Sequence, residues 1–242
     1  MAAARPPKKH APSRGSGRRD AAPAPVSTGH EPPNDCPACP RLVAFRNTWR
    51  AAEPTWFNAP VPSFGDRNAR LLIVGLAPGL RGANRTGRPF TGDFAGELLY
   101  ATLLGTGFAK GTYCADPDDG LELRDCLITN AVRCVPPENK PEPSEILSCR
   151  PYLVTKLRLL PRLTHILALG RIAHDQTLAA LGERKTAYPF AHGARHELPA
   201  RNDLPKLTLF DSFHCSRYNT QTGRLTAEMF REVLARIRSE LG

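Results

Sequence analysis

No apolar run in this sequence approaches the roughly 20 residues that a membrane-spanning helix requires. The first residues are basic but lead into Pro, Ser and Gly instead of an apolar stretch, which reads against a secretory leader. The expectation is a reducing cytoplasm, where the seven cysteines serve as metal ligands or buried thiols in preference to disulfides. Acidic residues are in deficit, 23 Asp and Glu against 33 Lys and Arg, and the resulting +10 points to a polyanionic partner, not a membrane. Aromatic residues are sparse at 7%, yet 41% hydrophobic residues in a chain of 242 suffice for one sizeable core. There is no internal repeat.

Residues 1–34 are rich in Ala, Pro, Arg and Gly and nearly devoid of large apolar side chains, so they cannot offset their own ordering entropy. They read as a disordered basic tail, either a dispensable solvated extension or a nucleic-acid tether. Their net charge is +4, and the remaining +6 belongs to residues 35–242, the expected single domain.

Within that domain the segment Cys36 to Arg50 has helical apolar spacing. Four short runs read as strands: Ala69 to Leu76, Cys126 to Val132, His165 to Leu169 and Lys206 to Phe210. Between and after them, Ile146, Cys149, Leu153, Leu157 and Leu160 repeat at helical intervals behind a Ser144 cap. Met229, Val233, Ile237 and Leu241 do the same behind Thr226. Strands alternating with helices of this length predict right-handed parallel crossovers, hence an α/β fold: a three-layer α/β/α sandwich around a mainly parallel four-stranded sheet.

Cys36-Pro37-Ala38-Cys39 is a C-x2-C pair, and Cys134 and Cys149 flank a loop holding Pro136, Pro137, Pro141 and Pro143. Such a loop can bring the second pair round to the first, completing four thiolate ligands for either zinc or an iron–sulfur cluster. Cys114, Cys126 and Cys215 read instead as buried small hydrophobes.

Two segments follow strand runs, where α/β proteins place ligands. The first is Gly75-Leu76-Ala77-Pro78-Gly79 continued by Gly82 to Asp93; the second runs from His214 to Thr226. Together they resemble the two active-site motifs of the family 5 (UDGb-type) uracil-DNA glycosylases, and the resemblance covers roughly residues 36–241. It implies a monofunctional enzyme that flips uracil from DNA and hydrolyses its N-glycosidic bond. It also implies tolerance of bases such as hypoxanthine and ethenocytosine, and a [4Fe–4S] cluster on Cys36, Cys39, Cys134 and Cys149. A monomer associated with the nucleoid is expected.

Carried onto this chain, the resemblance makes His214 the donor to the departing base. Asp93 becomes the carboxylate that orients water or opposes the sugar's positive charge. Gly75, Ala77, Phe90, Asn130, Ser216 and Asn219 become substrate contacts. An Asn amide offers the donor and acceptor that uracil's O4 and N3–H require, and a Phe ring offers a stacking face. Arg85, Arg88, Arg217 and Arg224 are expected on DNA, with Asn84 and Thr220 also suited to phosphate and Arg217 or Tyr218 filling the emptied stack. Two departures stand out: Leu76 occupies a position where related enzymes carry a polar residue, and Cys215 replaces the usual Pro after the His, which predicts a less rigid loop. Neither motif contains Lys, so no Schiff-base step is expected. Two other readings stay open, a four-thiolate nucleic-acid-binding protein without catalysis and a family 4-like enzyme strict for uracil.

Overall fold

The computed structural model describes residues 31–201 and 204–242. The expected tail therefore lies outside the described residues up to residue 30, but its last part does not behave as a tail. Glu31 forms an ion pair with Arg133 and another with Lys156 at 2.7 Å, while Asp35 pairs with Arg50 at 2.6 Å. Two buried cations give this short apolar-poor segment the partners that its own composition lacks.

The helices are α1 (Pro40–Ala52), α2 (Ala83–Thr86), α3 (Phe94–Gly105), α4 (Pro143–Leu159), α5 (Arg171–Leu181), α6 (Arg217–Gln221) and α7 (Ala227–Leu241). The strands are β1 (Phe64–Gly65), β2 (Leu71–Gly75), β3 (Ala109–Lys110), β4 (Glu122–Leu123), β5 (Cys126–Asn130), β6 (His165–Leu169), β7 (Arg195–Leu198) and β8 (Leu207–Ser212). The main sheet has six strands in the order β1-β5-β2-β6-β8-β7, and β3 pairs with β4 in a separate ribbon.

The four expected strands form the parallel centre, buried on both faces as a doubly covered sheet requires. The four-stranded expectation is corrected at the edges, where β1 and β7 add antiparallel partners. Both escaped notice for physical reasons: β1 has two residues, and Arg-His-Glu-Leu in β7 shows no apolar periodicity because it borders solvent.

Helices α3 and α7 cover one face over Leu71, Ile73, Ile128, Leu167 and Phe210, and α4 and α5 cover the other over Leu72, Val74, Ile166, Ala168 and Leu209. That is the three-layer sandwich. Thr226 caps α7 as expected, its hydroxyl accepting from Met229 N at 3.1 Å. Helix α4 starts one residue before the expected Ser144 cap, because Pro143 needs no N–H partner at the first helical position; Glu145 reaches back to accept from Glu142 N at 2.7 Å.

Chain direction places the site. Gly75 lies beside Asn130, and Leu169 beside Ser212, so the carboxyl ends of the parallel strands form one edge. The chain leaves β2 toward β5 on one side and leaves β6 toward β8 on the other, opening a crevice at that edge.

Candidate active site

A cavity of about 350 Å³ occupies the crevice, lined by the first motif (Leu76 to Gly79, Phe90, Asp93), by Asn130 and by His214, Ser216 and Arg217 of the second. Asn130 stands at its floor, 3% exposed, and its Oδ1 has no hydrogen-bond partner among the described residues. Leaving a buried acceptor unmet costs about 1–3 kcal/mol, which a ligand N–H would offset. Gly75 makes room for this arrangement: a Cβ there would sit 2.3 Å from Asn130 Oδ1 and 2.7 Å from Phe90 Cζ.

Phe90 is 7% exposed and adopts φ +53, a left-handed conformation costly for an aromatic residue. The surroundings hold it there. Tyr100 donates to Pro89 O at 2.5 Å, Tyr113 donates to Phe90 O at 3.3 Å, and Gly96 packs so closely that a Cβ would meet Phe90 O at 1.8 Å. The ring is thereby fixed with its centroid 5.8 Å from that of His214.

His214 emerges from the end of β8, half-buried, and no described protein atom hydrogen-bonds its ring nitrogens. Burial pushes its pKa down to about 4, so the ring is neutral at pH 7 and can donate one N–H into the cavity. Asn219 fixes the loop behind it, donating from Nδ2 to His214 O at 2.8 Å, and Ser216 caps α6 by accepting from Asn219 N. Asn219 is thus corrected from substrate contact to support of the His loop, whereas Ser216 does line the cavity. The expected loosening at Cys215 is also corrected: its side chain is fully buried in the α3/α7 core and anchors the loop by packing instead of by a fixed φ.

Asp93 caps α3, with Oδ1 accepting from Gly96 N at 3.2 Å. Its Oδ2 lies against Gly79 and Gly82, where added Cβ atoms would approach within 2.8 and 2.3 Å. Burial raises its carboxyl above the ordinary aspartate value, partly opposed by the Gly96 and Ala95 amides. A cap and an available cavity-facing carboxylate are here one residue.

The arginines divide. Arg85, Arg217 and Arg224 are exposed, and Arg217 sits at the cavity mouth with its guanidinium 5.3 Å from the Phe94 ring centroid. Arg88 does not reach solvent: it is 4% exposed and grips Asp119 through two 2.8 Å hydrogen bonds, with a third to Thr91. Asn84 is likewise buried, donating to Asn58 Oδ1 at 2.8 Å. Both are corrected from DNA contacts to internal supports of the first motif. Thr220 spends its hydroxyl on the Ser216 and Arg217 carbonyls.

The Uracil DNA glycosylase superfamily profile matches residues 62–238, the span that carries both motifs. A type-5 uracil-DNA glycosylase of Thermus thermophilus is 50% identical over 205 residues, 82% of this chain and 90% of the relative. This chain belongs to the type-5 uracil-DNA glycosylases. A type-5 enzyme of Pyrobaculum aerophilum is 38% identical over 86% of the chain and 90% of the relative, while that organism's type-4 enzyme is 35% identical over 64% and 65%.

In this type-5 chain Leu76 lines the cavity and offers neither donor nor acceptor, leaving Asp93 as the carboxylate there. Three lining residues were missed in the sequence, Phe94, Ala95 and Asn139. Phe94 was hidden as an ordinary first-turn residue; Asn139 lies in the proline-rich loop, read only as a spacer between cysteines.

The four expected ligand cysteines gather around one small space shared with Leu42, Arg46, Val132 and Tyr152. Burial and mutual repulsion raise the thiols of Cys134 and Cys149 to about 12, a cost that metal binding would remove. A tetrahedral zinc would draw its sulfurs to about 3.8 Å apart, yet among the described residues no three of these sulfurs lie within 4.8 Å of one another. Arg46 approaches Cys134 Sγ at 3.9 Å and Arg133 N donates to Cys149 Sγ at 3.3 Å, contacts that only partly offset the burial. Of the remaining cysteines Cys126 and Cys215 are buried as expected, but Cys114 is exposed.

Proposed function

We propose that this uracil-DNA glycosylase starts base-excision repair by binding DNA through Arg85, Arg217 and Arg224 and drawing the damaged nucleotide into the 350 Å³ cavity. Phe90 stacks on the base while the Asn130 amide meets its N3–H and O4. The observation that carries this reading is that Asn130, whose buried Oδ1 is unmet, lines the same cavity as a neutral His214 and the Asp93 carboxylate.

Breaking the bond between sugar C1′ and base N1 leaves the electron pair on the base. His214 donates its N–H to O2, where that charge gathers. Water adds to C1′, oriented by Asp93, which takes its proton and opposes the positive charge on the sugar. The products are free base and an abasic site. Among the described residues the cavity lining holds no lysine, which supports hydrolysis without strand cleavage.

Substrates beyond uracil, including hypoxanthine and ethenocytosine, fit an apolar Leu76 that demands no particular polar edge. Cys36, Cys39, Cys134 and Cys149 would hold a [4Fe–4S] cluster, whose contribution is structural: it ties α1 to the start of the proline-rich loop and to α4. The protein acts as a monomer. Incubating it with duplexes carrying uracil, hypoxanthine or ethenocytosine, then scoring base release separately from strand breakage, tests the proposal. Release of all three without breakage is expected. Release of uracil alone would favour the strict reading, and binding without any release would favour the non-catalytic one.

A further inference from the structure

Asn139 lies outside both motifs, yet it lines the mouth of the active-site cavity together with Phe94 and Arg217. Its backbone has φ +57, directly after Glu138 at φ +55. Two successive left-handed residues without glycine persist only where their surroundings over-determine them. Here the loop is held from within and from outside. Asn139 N donates to Pro136 O at 3.2 Å and Lys140 N to Pro137 O at 3.0 Å. From α1, two residues beyond Cys39, Arg41 donates to Lys140 O at 3.1 Å and pairs with Glu142 at 3.1 Å and Glu145 at 2.7 Å.

This strained, braced backbone presents a side chain that the fold itself does not use: the Asn139 amide makes no hydrogen bond among the described residues and is exposed. Asn130 already serves the cavity floor at 3% exposure, whereas Asn139 lines the same cavity from its solvent-exposed side. Exposed Arg217 lines the same cavity and favours an anionic visitor.

We propose that Asn139 is a substrate-binding residue whose amide donates to a phosphate oxygen beside the extruded nucleotide, an inference that rests on the glycosylase reading. The bracing by Arg41 spares the ordering cost that a free loop would incur on binding.

Asn139→Gly tests this directly, because glycine keeps the left-handed backbone and removes only the amide. Affinity for a duplex carrying an abasic-site analogue should weaken about ten- to a hundredfold, the worth of one hydrogen bond to a charged acceptor. The saturated rate, the fold by circular dichroism and the iron content should be retained. Asn139→Asp should bind more weakly than the Gly variant, since a carboxylate repels phosphate. Salt dependence should be unchanged in Asn139→Gly, because a neutral amide releases no counterion. Unaltered affinity in Asn139→Gly, an Asp variant no weaker than it, or weakened inhibition by free uracil with DNA affinity intact would each overturn the inference. Binding to the abasic analogue is read without catalysis, so a wild-type protein that releases no base would sink the glycosylase reading and leave this measurement standing.

Discussion

In the proposed mechanism two side chains carry the chemistry, and burial shifts their pKa values in opposite directions. It lowers the His214 pKa to about 4 and so keeps a neutral donor in the cavity; His214→Ala should slow single-turnover base release by about 10²–10³-fold while DNA affinity is retained. It raises the Asp93 carboxyl, so the acid limb of kcat/KM should lie above the ordinary aspartate value. The same burial has a stability consequence. A folded-state pKa raised above the unfolded value means the folded protein disfavours the carboxylate: no cost below the unfolded value, and a growing cost as pH rises through the folded one. Asp93→Asn keeps the helix cap, because Asn caps about as well as Asp, and removes that cost. This variant should lose about 10²–10⁴-fold in rate yet gain in melting temperature relative to wild type as the pH is raised from acid to neutral. A melting temperature below wild type at neutral pH would contradict it.

At the scale of elements, the first motif is a loop stiffened by a buried ion pair. Arg88 and Asp119 hold each other with two hydrogen bonds, and Asp119 is pulled well below the usual carboxylate range chiefly by that guanidinium. Removing one member strands the other, so Arg88→Met should cost about 3–5 kcal/mol in denaturant unfolding. The affinity lost with rising salt should keep its slope in that variant, because Arg88 never meets phosphate. Arg217→Ala should do the reverse, preserving stability while reducing the slope by about 0.9. Both arginines sit in Gly- and turn-rich segments, and the sequence treated them alike; what separates them is an aspartate 31 residues away from Arg88.

At the scale of the whole molecule, the proposed four-cysteine centre would join α1 to a domain that otherwise holds it through few apolar contacts, Leu42 being its one buried hydrophobic residue. Cys149→Ser should therefore lose iron and sulfide, lower the melting temperature and expose α1 to proteolysis, with the sheet retained by circular dichroism. Protection of α1 in the metal-free variant would show that the centre does not anchor it.

Local pattern was enough for much of this protein. The four central strands announced themselves because strands buried on both faces must be continuously apolar, and Thr226 announced a helix start because caps are local chemistry. The motif residues His214, Asp93, Phe90 and Asn130 were singled out through the family resemblance of the segments that carry them, and the cavity gathers all four. Edge strands, the burial of Arg88 and Asn84, the turn of Asn219 toward the His214 carbonyl and the arrival of Asn139 at the cavity mouth were not. Each depends on which distant residue lies opposite, and that pairing comes into being only when the sheet closes and its loops are pressed together.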